Sequence, residues 1–100
     1  MILDFRGAIL AYTKAIELNP KSKEAYYNRA ISKTNTNDLI GAIDDYTNSI
    51  TLDRTLKEAY YGRGLVKIGM NERSDGCSDL NKSRELGYML AEKMISKYCK

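Results

Sequence analysis

The segment DFRGAILAYTKAIEL, from Asp4 to Leu18, returns 34 residues later as DLIGAIDDYTNSITL, from Asp38 to Leu52. The copies agree at Asp4/Asp38, Gly7/Gly41, Ala8/Ala42, Ile9/Ile43, Tyr12/Tyr46, Thr13/Thr47, Ile16/Ile50 and Leu18/Leu52. A second pair keeps the same offset: KEAYYNRAISK from Lys23 to Lys33 becomes KEAYYGRGLVK from Lys57 to Lys67. A fixed period of this size marks stacked copies of one supersecondary unit, each with an apolar face that it cannot bury alone. Arrays of that kind hold partners far more often than they carry out chemistry.

Within the repeated segments the apolar residues fall in steps of three and four, as Phe5, Ala8, Ile9, Tyr12, Ala15 and Ile16 do, which gives one apolar helix face. Asn19-Pro20 ends that helix, because proline disfavours the α conformation in the residue before it. Ser22 is the expected N-cap of a second helix, carrying Ala25, Tyr26, Ala30 and Ile31 and fading in the polar stretch from Thr34 to Asn37. Asp38 caps a third, with Ile40, Ile43, Tyr46, Ile50 and Leu52 on it. A fourth runs from about Leu56 to Ile68 and is expected to stop at Gly69, which tolerates positive φ; a fifth runs from Glu72 to Leu86 and stops at Gly87. The last, from Tyr88 to Tyr98, has Leu90, Ala91, Met94, Ile95 and Tyr98 as its apolar positions. Short connections favour antiparallel helical hairpins, and no alternating strand pattern competes. The fold class read from the chain is all-α.

The totals narrow the function. At 100 residues, 43% of them hydrophobic, the chain is one small domain. With 29% charged residues and a net charge of +3, Lys and Arg interleave with Asp and Glu rather than forming the basic stripe that nucleic-acid binding leads one to expect. No apolar run approaches the roughly 20 residues that span a bilayer, and the start MILDFRG has neither a basic nor a long apolar leader region. Histidine is absent, which removes His-based acid/base chemistry and leaves metal binding short of ligands. No Gly-rich phosphate loop or nucleophile–base motif stands out. The expectation is therefore no enzyme, no cofactor and no metal. Cys77 and Cys99, 22 residues apart, make neither a metal motif nor a CxxC redox pair. Adjacent antiparallel helices can join them in a disulfide, or in a reducing compartment they stay small buried thiols. A cytoplasmic setting is favoured, with export if a leader was removed and the cysteines pair.

The unit AYYNRA from Ala25 to Ala30, followed by GAIDDYTNSITLD from Gly41 to Asp53, resembles a tetratricopeptide repeat. In that family a small residue of the first helix packs against a small residue of the second. Ala30 and Gly64 match the first small position, and Ala8, Ala42 and Gly76 the second. Asn19-Pro20 matches the usual ending, whereas Asp53-Arg54 and Gly87-Tyr88 lack its proline. The last repeat, CSDLNKSRELG, is also similar to Sel-one-like repeats. Pentatricopeptide arrays that read RNA use a slightly longer period. The resemblance implies hairpins stacked into a short right-handed superhelix of about two and a half repeats plus a C-terminal cap. Residues 4–18 would be the second helix of a truncated repeat, 22–53 and 56–87 complete repeats, and 88–99 the capping helix.

The family's concave face is lined by first helices. By that correspondence it is formed here by Glu24, Tyr27, Asn28, Ile31 and Asn35, continued by Glu58, Tyr61, Gly62, Leu65 and Ile68. The implied function is a scaffold that binds a peptide or protein segment along this groove. Tyr27 and Tyr61, one repeat apart, either grip that segment or simply pack between repeats. Asn28 stands where chaperone-binding members carry an asparagine for a peptide's C-terminal carboxylate, but Glu58 and Gly62 replace the Lys and Arg of that clamp. The alternative is self-association into a homo-oligomer through Phe5, Ile9, Tyr12 and Ile16, which a preceding helix would otherwise cover in part. Arg29 and Arg63 recur at one phase, as do Asp45 and Asp79. They are expected to pair as Arg29–Asp45 and Arg63–Asp79 within each hairpin, while Lys33 and Lys67 run along the surface with their heads in water.

Overall fold

The structure, a computed structural model, describes residues 4–100. Its helices are α1 (Phe5–Leu18), α2 (Lys23–Asn35), α3 (Leu39–Leu52), α4 (Lys57–Gly69), α5 (Arg73–Glu85) and α6 (Met89–Tyr98). Among the described residues there is no strand, so the chain is all-α, as the spacing of its apolar residues requires. The first three helices start on side-chain caps. The carboxylates of Asp4 and Asp38 and the hydroxyl of Ser22 each accept the backbone N–H three residues on, at 2.9, 3.1 and 3.2 Å. α4, α5 and α6 begin without such a bond.

The turns carry the period. Between α2 and α3, Asn37 takes a left-handed conformation (φ 64°), its N–H reaching Thr34 O while the Asp38 N–H reaches Lys33 O at 2.8 Å. Asn71 (φ 66°) repeats this between α4 and α5, with Glu72 N–H on Lys67 O at 2.8 Å. This paired closure satisfies carbonyls that the helix end leaves open, and asparagine tolerates it because its short polar side chain is at home in left-handed backbone. The expectation that Gly69 supplies the positive φ is therefore corrected: α4 ends at Gly69, but the left-handed residue is Asn71, where the closing geometry falls.

The connections between hairpins work differently. Asn19 Oδ1 accepts the Lys21 N–H and Asp53 Oδ1 accepts the Thr55 N–H, so extended residues at φ −145° and −148° lead into α2 and α4. The side chain of Lys23 also reaches Asp53, and with Thr55 it holds that carboxyl well below the usual carboxylate range. Asp53 thus closes by hydrogen bonds the turn that lacks a proline. The α5–α6 connection breaks the pattern. Gly87 (φ 98°) closes α5 in the left-handed manner, and α6 is capped at Tyr88. One period beyond Ser22 and Leu56 the cap would be Leu90, so α6 starts two residues early.

Each helix packs on its neighbours in the chain, and α2 also touches α4. Ala30 of α2 and Ala42 of α3 are fully enclosed where their helices meet. In the next hairpin the same positions are glycines, and a Cβ on Gly76 would lie 2.6 Å from the Gly64 carbonyl oxygen. No larger residue fits there unless α4 and α5 part. Tyr46, Ile50, Ala59, Tyr60 and Val66 complete the core between the hairpins, with Leu80 buried inside the second one. Ser49 and Ser83, both buried, turn their hydroxyls onto the carbonyls of Tyr46 and Lys57. Ile40, Leu52 and Leu90, read from the sequence as apolar face positions, are exposed. The inward stripe of α3 is Leu39, Ala42, Ile43, Tyr46 and Ile50, and at 3.6 residues per turn Ile40 and Leu52 fall off it.

Candidate functional site

Tyr27 and Ile31 are four apart on α2, as Tyr61 and Leu65 are on α4, so each pair shares a face. These faces border a cleft of about 430 Å³. Leu39, Tyr46 and Val66, contributed by the core, also line it. The Tyr46 ring meets Tyr27 edge-on at 6.0 Å between centroids. It lies so close beneath α4 that a Cβ on Gly62 would sit 2.5 Å from its ring; glycine at that position is what admits the tyrosine. Burial pushes the Tyr46 phenol up to about 12, so it stays neutral at physiological pH. Tyr88, brought in by the early start of α6, stacks edge-on against Tyr61 with centroids 4.9 Å apart. Glu58, in the first turn of α4, is the one charged residue among those lining the cleft.

Of the residues expected on the concave face, Tyr27, Ile31, Glu58, Tyr61, Gly62 and Leu65 line the cleft together. Ile68 lies in an adjoining recess with Leu65, Gly69, Met94 and Tyr98. Glu24, Asn28 and Asn35 do not line the cleft. Asn35 instead donates its side-chain amide to the Ile31 carbonyl at 2.9 Å, bonding back along its own helix. Tyr46 and Tyr88 were not anticipated in the lining. Tyr46 is read from sequence as a core residue, and it is one; only the bare backbone at Gly62 exposes its edge to the cleft. Tyr88 carries no sequence signal, because it arrives by breaking the period. Phe5, Ile9, Tyr12 and Ile16 are each half-buried, and no α1 residue is fully buried, whereas Leu10 and Leu18 stand 72% and 76% exposed.

A charged cluster repeats with the hairpins. Arg29 donates Nε and Nη2 to the two carboxylate oxygens of Asp45, each at 2.8 Å, and Arg63 does the same to Asp79. Both pairs are as expected, but each reaches further than one hairpin. Arg29 Nη1 donates to Thr13 Oγ1 of α1 at 3.1 Å, and Arg63 Nη1 to Thr47 Oγ1 of α3 at 3.2 Å. The guanidinium groups also lie 5.8 and 5.7 Å from the Tyr26 and Tyr60 ring centroids. The hydrogen bonds they donate to the aspartates hold both guanidinium groups above their ordinary pKa, against the effect of burial. Lys33 and Lys67 correct the sequence expectation: they turn onto Asp45 and Asp79 at 3.1 and 3.3 Å instead of running out to water. A carboxylate buried between two helices draws in a second cation because one guanidinium leaves its lone pairs incompletely met.

Cys77 of α5 and Cys99, just past α6, are joined in a disulfide with their Cα atoms 5.7 Å apart. Among the described residues no group of His, Cys, Asp or Glu side chains is placed to hold a metal ion. No helix among them is long and apolar enough to cross a membrane.

Residues 11–44 match the family model of the tetratricopeptide repeat. No curated protein matches the chain. Among solved structures, the first TPR of Spaghetti (RPAP3), bound to the HSP90 peptide SRMEEVD, superposes with a TM-score of 0.91 at 23% identity, over 95% of this chain and 77% of that one. The Arabidopsis OM64 TPR domain gives 0.85 at 26% identity, over 93% and 81%. The TPR2B domain of yeast Sti1, in its pHsp70 complex, gives 0.82 at 23% identity, over 94% and 75%. Residues 11–44 thus match one tetratricopeptide repeat in sequence, and the hairpin stack shares the fold of tetratricopeptide-repeat domains along nearly its whole length.

Proposed function

We propose that this chain is a non-catalytic protein-interaction scaffold that holds an extended peptide segment in the cleft between α2, α4 and Tyr88. The observation that carries this reading is the cleft itself, about 430 Å³ with Tyr27, Tyr61 and Tyr88 on its walls. Rigid aromatic rings offer large contact area and a hydroxyl at small entropic cost, as interface anchors do. Structures of the same fold in which an HSP90 peptide or pHsp70 is bound support the reading by analogy of fold.

Selection from a displayed random-peptide library tests it. Enriched peptides are expected to lose about tenfold or more in affinity for the Tyr27→Ala/Tyr61→Ala double variant, with thermal melts showing that the variant remains folded. Peptides retained equally by both proteins would remove the cleft as the binding site. Self-association through α1 is the second reading, favoured by the exposure of Leu10 and Leu18 beside Phe5, Ile9, Tyr12 and Ile16. Sedimentation over a range of concentrations separates the two.

A further inference from the structure

We propose that the cleft selects a peptide segment by a cationic side chain, lysine or arginine flanked by apolar residues, received among Tyr27, Tyr61 and Tyr88 with Glu58 as its counter-ion. This rests on the cleft reading above and adds the chemistry of the occupant. Among the lining residues Glu58 is the one with a charge, and among the described residues it has no ion-pair partner. Arg29 and Lys33 are committed to Asp45, Arg63 and Lys67 to Asp79, and none of the four lines the cleft. An otherwise basic chain, at +3, therefore presents an acidic interior to its cleft.

The aromatic rings act in the same direction. The face of a phenol ring carries the negative part of its quadrupole and attracts a cation within about 6 Å of its centroid. Tyr61 and Tyr88, with centroids 4.9 Å apart, bring two such rings together in the lining of the cleft. Burial first, and then the neighbouring Tyr88 and Glu58, raise the Tyr27 phenol; burial, Tyr61 and Glu58 raise that of Tyr88. The charge of Glu58 is thus felt at both Tyr27 and Tyr88. A carboxylate placed there would meet Glu58 and no lining cation, so an acidic C-terminal tail is the disfavoured occupant. An ammonium or guanidinium group gains both the carboxylate and the ring faces, and its aliphatic stem lies against Ile31 and Leu65.

The test is a calorimetric titration of the intact chain with three terminally blocked pentapeptides of leucine and alanine, identical except for a central arginine, norleucine or glutamate. The arginine peptide is expected to bind about tenfold tighter than the norleucine peptide, and to lose that advantage in Glu58→Gln and as salt is raised. The glutamate peptide is expected to bind most weakly. If norleucine or glutamate matches arginine on the unaltered chain, the cationic selectivity is overturned while the cleft reading stands. If none of the three binds and the Tyr27 and Tyr61 ring resonances stay unmoved, both are overturned. The comparison on the unaltered chain decides the matter independently of how the variant folds.

Discussion

Replacing Asp45 with asparagine is expected to lower the unfolding free energy by about 3 kcal/mol or more, as for other buried pairs that lose one partner. Asp45 is 1% exposed and is met by Arg29 and Lys33, whose side chains are themselves mostly buried. The amide keeps one acceptor oxygen but no charge. It leaves a guanidinium and an ammonium facing each other in a poorly solvated seam, and it puts an NH₂ where the guanidinium needs a second acceptor. The loss is felt beyond one hairpin, because Arg29 also holds Thr13 of α1. For a domain whose total stability is on the order of 5–15 kcal/mol, this is a large part of the margin. Urea denaturation followed by far-ultraviolet circular dichroism measures it, and Asp79→Asn is the natural comparison. Asp79 is somewhat less enclosed, its side chain 9% exposed against 2% for Asp45, so its loss should be smaller. A change under about 1 kcal/mol for Asp45→Asn, the worth of an exposed pair, would mean that the cluster behaves as a surface feature.

Reducing the disulfide is the other large perturbation. Cys77 and Cys99 are 22 residues apart, and closing a loop of that order restricts the unfolded chain by about 3 kcal/mol in the entropic account. The effect should concentrate in α6, where Ala91 is the one fully buried residue and the other contacts are partial. With reductant, the amides of α6 are expected to exchange with solvent well before those of α3 and α4, and the melting temperature to fall by on the order of 10 °C. Tyr88 caps α6 and stacks on Tyr61, so one wall of the cleft should loosen with it, seen as weaker binding of any cleft peptide under reduction. Hydrogen exchange in α6 that is indifferent to reductant would show that packing alone holds the last helix.

The legible part of this fold is the part written in short-range chemistry. Asp4, Ser22 and Asp38 cap helices through bonds three residues long, and the apolar steps of three and four put Ala30 and Ala42 on helix faces that the tetratricopeptide resemblance implies will meet. The repeat of Arg29 and Asp45 as Arg63 and Asp79 foretells the two ion pairs, since a constant offset of 16 positions recurs on facing helices. Lys33 and Lys67 recur just as regularly, yet recurrence does not say whether a long flexible side chain turns inward. That depends on how completely one arginine satisfies a carboxylate, which is a matter of packing.

The candidate site divides along the same line. Tyr27, Ile31, Tyr61 and Leu65 are placed on shared faces by helical spacing, so the sequence by itself determined that the first helices of successive hairpins present aromatic and aliphatic side chains in register. Tertiary structure decided what closes and colours the cleft. The left-handed turn at Gly87 starts α6 two residues early and carries Tyr88 over Tyr61, and the bare backbone at Gly62 lets Tyr46 reach the cleft. Arg29, Lys33, Arg63 and Lys67 gather on Asp45 and Asp79 away from the lining, where Glu58 is the one charge. Helix periodicity is a local property of the chain, whereas the sign of the charge in a cleft depends on which side chains distant segments bring to its walls.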